Sequence, residues 1–295
     1  MTGTQKRASL GRDIVLKLVV RFLLVLVLIT TIYPFLYVIY ASFSDPFRYY
    51  THSGPLLWFK GFTLNAYSDV IANKNVWIGF RNSLLYTAVG VSINMTLTIL
   101  GGYTLSRPQL KGRNLIMGLI VFTMIFKGGL IPNYILVRQL KMYNTLWALV
   151  LPSAINTMNL IIMRTGFSAM PKELEESARI DGAKDFTILT RIAIPVTMST
   201  ILTLTMYYAV TRWNAWFYAS IYIRDRKLMP LQIFLRELLI EDATGLTDGV
   251  STNDVYRLET YKYALIMVST LPILIIFPFI SRFFGKGVMV GAVKG

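Results

Sequence analysis

The chain contains no cysteine, which excludes disulfides and thiolate metal sites. Histidine occurs once, at His52, so neither a histidine metal cluster nor the usual Ser/His pairing can be built. No Gly-x4-Gly-Lys-Ser/Thr stretch is present, and ATP binding through a P-loop is therefore not expected of this chain. Charged residues make up only 15% of the 295, and they cluster between long apolar runs. No Asp or Glu falls inside those runs. A membrane-embedded enzyme or an ion-coupled carrier would want such carboxylates.

What is abundant is apolar sequence. Hydrophobic residues make up 54% of the chain, and mean hydropathy is +0.53, too apolar for a soluble protein of this size. A spanning helix needs about 20 mostly apolar residues. Six runs qualify: Phe22–Ala41, Asn82–Leu105, Leu115–Ile131, Leu146–Met163, Ile194–Val210 and Tyr263–Ile280. The first follows a basic start yet is too long for a signal peptide and lacks a clean cleavage site, so it reads as a retained helix. Gly90, Gly101 and Gly102 offer close helix contacts in the second. Pro34, Pro152, Pro195, Pro272 and Pro278 fall within or beside runs, which membrane helices tolerate when neighbours satisfy the freed backbone groups. The fold class expected is an all-α polytopic membrane protein, one domain over 1–295. Between its last two spans lies a long external loop, 212–262.

The net charge of +15 does not form a basic stripe with interleaved aromatics, which argues against nucleic acid. Lys6, Arg7, Arg12, Lys17 and Arg21 precede the first run. Arg107, Lys111 and Arg113 fill the second connection, and Arg282, Lys286 and Lys294 the tail. The positive-inside rule then puts both termini and the loop around Glu176 in the cytoplasm. Arg81, Lys127, Arg164 and Arg212 lie near run ends, where long side chains snorkel to the interface. Lys127, before Gly128-Gly129 and Pro132, is the best candidate for a break lining a cavity.

The polar island between the fourth and fifth runs, 171–195, reads as helix, turn, helix. Pro171 suits a first helical turn, and Glu173, Glu175 and Glu176 complement the positive end. Gly182 can adopt the left-handed conformation that ends the helix, and Asp185 suits the N-cap of the next. Phe186, Leu189 and Ala193 recur at helical spacing.

Glu176-Ser177-Ala178, three residues, Gly182, nine residues, then Ile192-Ala193-Ile194-Pro195 resembles the EAA loop of bacterial ABC-importer permeases. Ser177 stands for an Ala and Ile194 for a Leu of the family pattern. The resemblance implies a type I importer permease fold, in which this loop docks in a cleft on a cytoplasmic ATPase. On that reading Phe186, Leu189 and Ala183 supply packing, Glu176 and Asp181 are polar anchors, and Gly182 sets the angle. Ser177, Ala178, Ile192 and Pro195 complete the coupling set. Asn65-Ala66-Tyr67, Asn82-Ser83, Trp213-Asn214 and Pro230-Leu231-Gln232 look like features of the carbohydrate-importing branch, similar to the MalG-like and LplC-like subunits. The tail, with Gly291, Lys294 and Gly295, resembles one that reaches into the ATPase pair.

The partners so implied are a second permease, two ATPase subunits carrying ATP and magnesium, and an extracytoplasmic solute-binding protein, in the inner membrane. No cofactor or metal is expected on this chain, and no catalysis. Asn156, Asn159, Tyr207, Tyr208, Trp213 and Asn214 are the candidate groups for a cargo pathway. The basic excess makes an acidic oligosaccharide, such as an alginate- or pectin-derived uronide, an attractive cargo. A non-sugar cargo in the same machine, or an ion-coupled secondary transporter, stays open at this point.

Overall fold

The computed structural model describes residues 3–244 and 252–287, with side chains over 16–240 and 256–279. Gly291, Lys294 and Gly295 lie outside the described residues. In order, the α-helices are α1 (Gly3–Ser42), α2 (Pro46–Tyr50), α3 (Asn65–Ala72), α4 (Lys74–Ser106), α5 (Arg113–Ile125), α6 (Leu130–Gln139), α7 (Leu146–Val150), α8 (Thr157–Ser168), α9 (Lys172–Ile180), α10 (Asp185–Ile188), α11 (Ile194–Val196), α12 (Met198–Trp213), α13 (Phe217–Tyr222), α14 (Leu231–Thr244) and α15 (Thr252–Gly287). The β-pairing among the described residues amounts to one isolated bridge, Ser44 with Phe62.

Three helices are long and apolar enough to cross a membrane unbroken: Leu16–Ser42 within α1, Lys74–Ser106, and Tyr256–Phe279 within α15. The other three expected runs are each a bent pair. Arg113–Ile125 meets Leu130–Gln139 at 111°, Leu146–Ser153 meets Thr157–Ser168 at 53°, and Asp185–Val196 meets Met198–Trp213 at 82°. The prolines divide accordingly. Pro34, Pro272 and Pro278 stay inside unbroken helices, whereas Pro152 and Pro195 sit beside breaks. Before Pro195, which has no N–H to donate, the turn Leu189–Ala193 widens to a π-helix.

The segment 212–262 is not the long loop expected. It holds α13, the 3-10 turn Arg226–Leu228, α14 and the start of α15. Apolar residues hidden between its charges supply the reason: Ala219, Tyr222, Leu231, Ile233 and Phe234 are all buried.

Packing separates two compact units where one domain was expected: Met1–Ala72 with Glu241–Val268, and Asn73–Ile240 with Ser269–Gly295. The first is tied by aromatic and polar contacts. The phenols of Tyr37, Tyr49 and Tyr263 form a chain at 2.8 and 3.1 Å, and Arg257 pairs with Asp69 at 2.8 Å. Tyr67, one of the branch residues, bonds Ser42 at 2.8 Å. Burial first, then the hydrogen bonds to Tyr263 and Tyr37, pushes the Tyr49 phenol well above the usual tyrosine range.

The second unit has an apolar core. Met95 and Tyr103 of α4, Met163 and Phe167 of α8, Leu189 and Ala193 of the π turn, and Leu204 and Tyr208 of α12 pack together. Gly102 permits the approach of α4 to α8, since a Cβ there would stand 2.8 Å from Met163 Cγ and 3.2 Å from the Arg164 nitrogen.

Candidate functional site: a presented joint and a cationic cavity

The joint is built locally. Pro171 precedes α9 as its N-cap, and the last turn closes in a Schellman arrangement. Gly182 N–H donates to Arg179 O at 3.0 Å and Ala183 N–H to Ala178 O at 2.9 Å. Gly182 has φ +80°, and a Cβ there would meet nothing within 4 Å. The glycine is thus required by backbone conformation, not by crowding. Lys184, not Asp185, is the N-cap of α10; Asp185 is its first residue and binds Arg179 instead.

One face of the joint faces out. Ile180 is 86% exposed and Phe186 72%, with Glu176, Ser177, Asp181, Gly182 and Pro195 also at the surface and Ala183 half-buried. The other face belongs to the protein's own core. Leu189, 4% exposed, is in the core cluster, Ile192 packs on that cluster, and Ala178 is buried. Leu189 and Ala178, expected among the docking contacts, pack inward in this chain. Leu189 stands at the junction of α10 and the π turn, packed on the core while still bordering the surface cavity that Phe186 lines. Ile180, overlooked in the sequence, takes the outward position.

Charges clamp the joint from behind. Glu175 pairs with Arg107 just past the end of α4 and with Arg179 at 3.0 Å, and Arg179 reaches Asp185 at 2.7 Å. The Arg107 guanidinium lies 4.3 Å from the Tyr103 ring centre. Burial pulls the Arg107 value below the usual arginine range, against the opposing influence of Tyr103. The Glu175–Arg179 pair at four-residue spacing was readable; Arg107, some seventy positions from Arg179, was not.

A cavity of about 200 Å³ lies between α4, the α7–α8 break and α12. It gathers Asn156, Asn159 and Tyr208 from the expected pathway set, together with Tyr86, Asn94 and Arg212. Tyr207, Trp213 and Asn214 do not line it. Tyr207 is exposed, Asn214 caps α12, and Trp213 is buried with its indole N–H on Ser269 O at 2.8 Å.

Arg212 does not snorkel. Its guanidinium donates to Leu149 O, to Val150 O at 3.1 Å, to Ser153 O at 2.9 Å and to Asn94 Oδ1 at 2.9 Å. Those carbonyls end the helical stretch that breaks at Pro152, and in an apolar surrounding they must find donors. Asn94 adds Nδ2 to Ser153 O at 3.0 Å, and Gly90 makes room for the arginine stem, 3.1 Å from Nε were it to carry a Cβ. No carboxylate lines the cavity, and Arg212 pairs with none among the described residues. Among the described residues its Nε–H meets no acceptor, and the Asn159 side chain makes no hydrogen bond. Lys127 is exposed at the α5–α6 break, and Arg164 gives Nε to Leu105 O at 3.0 Å.

Two of the scattered branch stretches meet in this unit. Asn82 Nδ2 donates to Lys227 O at 2.8 Å and Met229 O at 3.1 Å, and Ser83 Oγ accepts from Leu231 N–H at 2.9 Å. Asn82-Ser83 thus pins the chain around Pro230-Leu231-Gln232 onto α4.

Apolar helices of spanning length, a presented helix–turn–helix and a cavity holding Arg212 fit a membrane transport component. The model of the binding-protein-dependent transport system inner membrane component matches residues 98–289, and the chain belongs to that family. Protein LplC of Bacillus subtilis (strain 168) is 40% identical over 266 residues, 90% of each chain. The polygalacturonan/rhamnogalacturonan transport system permease protein YtcP of the same organism is 38% identical over 280 residues, 94% of this chain and 97% of that one. Among solved structures, a bacterial ABC transporter involved in import of the acidic polysaccharide alginate superimposes with a TM-score of 0.84 at 30% identity, covering 92% of this chain and 98% of that one. The protein is therefore a permease subunit of an ABC importer, an inner-membrane transport component and not a catalyst.

Proposed function

We propose that this subunit forms half of the pathway for a carboxylated oligosaccharide. A second permease completes the pathway, a solute-binding protein delivers the cargo, and two separate ATPase subunits bind and hydrolyse ATP. Both termini and the α9–α10 joint lie on the ATPase side, as the distribution of basic residues favours. Ile180 and Phe186 seat in an ATPase cleft, with Glu176 and Asp181 fixing the register.

The observation that carries the cargo class is Arg212, an arginine in a polar cavity with no carboxylate to neutralise it. An unpaired cation at such a place is costly, and a cargo carboxylate offsets that cost. The names of YtcP and of the alginate importer, whose cargoes carry uronic acids, support the same class.

The test is ATP hydrolysis by the reconstituted complex with its binding protein. Oligogalacturonide should stimulate it, and a neutral malto-oligosaccharide should not. Asn159→Leu, which removes a group unbonded within the chain, should weaken that stimulation while assembly persists. Stimulation by the neutral sugar alone would overturn the acidic cargo. A chain purifying without any ATPase would overturn the importer assembly.

A further inference from the structure

Where α9 meets the ends of α4, α5 and α8 there is a second cavity, of about 450 Å³. Its charged wall comprises Arg107, Arg113, Arg164, Lys172 and Arg179 against Glu175 and Glu176. The coupling clamp accounts for part of this charge, because Glu175 is committed to Arg107 and Arg179 and Asp185 to Arg179. The remainder is open. Among the described residues Arg113 and Lys172 make no side-chain hydrogen bond or ion pair, and Arg164 spends only Nε, on Leu105 O. Ser168 and Gln109 add neutral polar groups to the rim, and Phe167 and Met170 give the floor an apolar edge.

Three cations with free donors thus converge on a cavity where a single uncommitted carboxylate, Glu176, faces them. Arg107 and Arg179 of the clamp line the same cavity, so the like charges share partly desolvated surroundings. A compact oxyanion with several acceptor atoms fits this set of donors, and arginine forks match phosphate geometry. Basic pockets between helices at a membrane face bind lipid head groups by the same chemistry.

We propose that this cavity binds a phosphate group through Arg113, Arg164 and Lys172. Filling it offsets the like charge shared with Arg107 and Arg179 and holds α9 more firmly against the bundle. The phosphate belongs to an anionic phospholipid of the adjacent leaflet or to a soluble phosphate compound. The site's bearing on coupling rests on the importer reading above, whereas its occupancy does not.

The test uses the assembled complex in nanodiscs of phosphatidylcholine, with and without phosphatidylglycerol, and in phosphatidylcholine with inorganic phosphate. Lipid retention is read by native mass spectrometry and α9 mobility by amide exchange. Phosphatidylglycerol should be retained and should slow α9 exchange. The paired change Arg113→Gln and Lys172→Gln, at side chains that bond nothing among the described residues, should weaken retention about 25-fold, or about fivefold per charge. If inorganic phosphate alone slows α9 equally, the source is soluble; if only the lipid does so, it is the head group. Equal retention by wild type and the double variant, or α9 exchange indifferent to both anions, overturns the proposal. Loss of the ATPase subunits would count against the importer reading alone, because retention is measured without hydrolysis.

Discussion

Two interruptions of helix in the second unit are resolved in opposite ways. At Gly182 the chain turns at the surface, and the orphan carbonyls of α9 are met by the next two amides, Gly182 and Ala183. At Pro152–Asn156 the chain breaks within an apolar run, and the orphan carbonyls of Leu149, Val150 and Ser153 are met by Arg212, about sixty residues on. In water a helix end has solvent in reserve, so a glycine suffices. Inside a bilayer there is no reserve, and a distant side chain with several donors becomes a structural requirement.

The strongest way to break this contrast is at Arg212. Arg212→Ala should strand several acceptors and cost about 3 kcal/mol or more, read as a lower melting temperature and poor recovery of the folded chain. Arg212→Lys keeps the charge without the fork and should recover only part of the loss. A variant as stable as wild type would show that the α7–α8 break does not depend on its distant donor.

At the surface turn the expected cost is smaller and purely conformational. Gly182→Val should cost about 1–2 kcal/mol, because φ +80° disfavours a branched side chain, and should abolish cargo-stimulated ATP hydrolysis. Gly182→Asn, which tolerates that φ and meets no neighbour, should stay near wild type. Equal damage from both would point to crowding by the docked ATPase and not to backbone strain.

Smaller still is the clamp. Glu175→Gln removes pairs that are partly shielded, for about 1 kcal/mol, and should raise amide exchange along α9 without loss of assembly. The first unit sharpens the comparison through Tyr49, whose contribution does not change around neutral pH. The folded value of Tyr49 lies above the unfolded tyrosine value of about 10, so its contribution is complete below that pH and fades only as pH rises further. Melting temperature at neutral pH should therefore match at mildly alkaline pH for wild type and for Tyr49→Phe.

Much of the joint was legible because its determinants are contiguous. Pro171, Glu173, Gly182 and Pro195 announce starts and stops within one stretch, and the left-handed glycine is where the spacing places it. The inward packing of Leu189 was not readable, since an apolar residue on so short a helix can serve either face. The bends in the third and fourth runs escape hydropathy, which measures length and composition, and a bend of 53° or 111° changes neither. Lys127 was the exception, flagged by the glycines beside it.

The residues in Asn82-Ser83 and Trp213 were conspicuous in the chain, yet their work is to hold Met229, Leu231 and Ser269 in place. Pairings across such separations follow from how helices pack, and no local pattern encodes them.

By itself the sequence determined that this chain is a helical membrane protein with a presented helix–turn–helix, because hydropathy and turn chemistry act over neighbouring residues. Only the tertiary structure decided that Arg212 caps a broken helix, that Glu175 clamps the joint, and that Ile180 and Phe186 remain outside. Each of these depends on which distant groups are brought within hydrogen-bonding or van der Waals reach, and that is settled by packing.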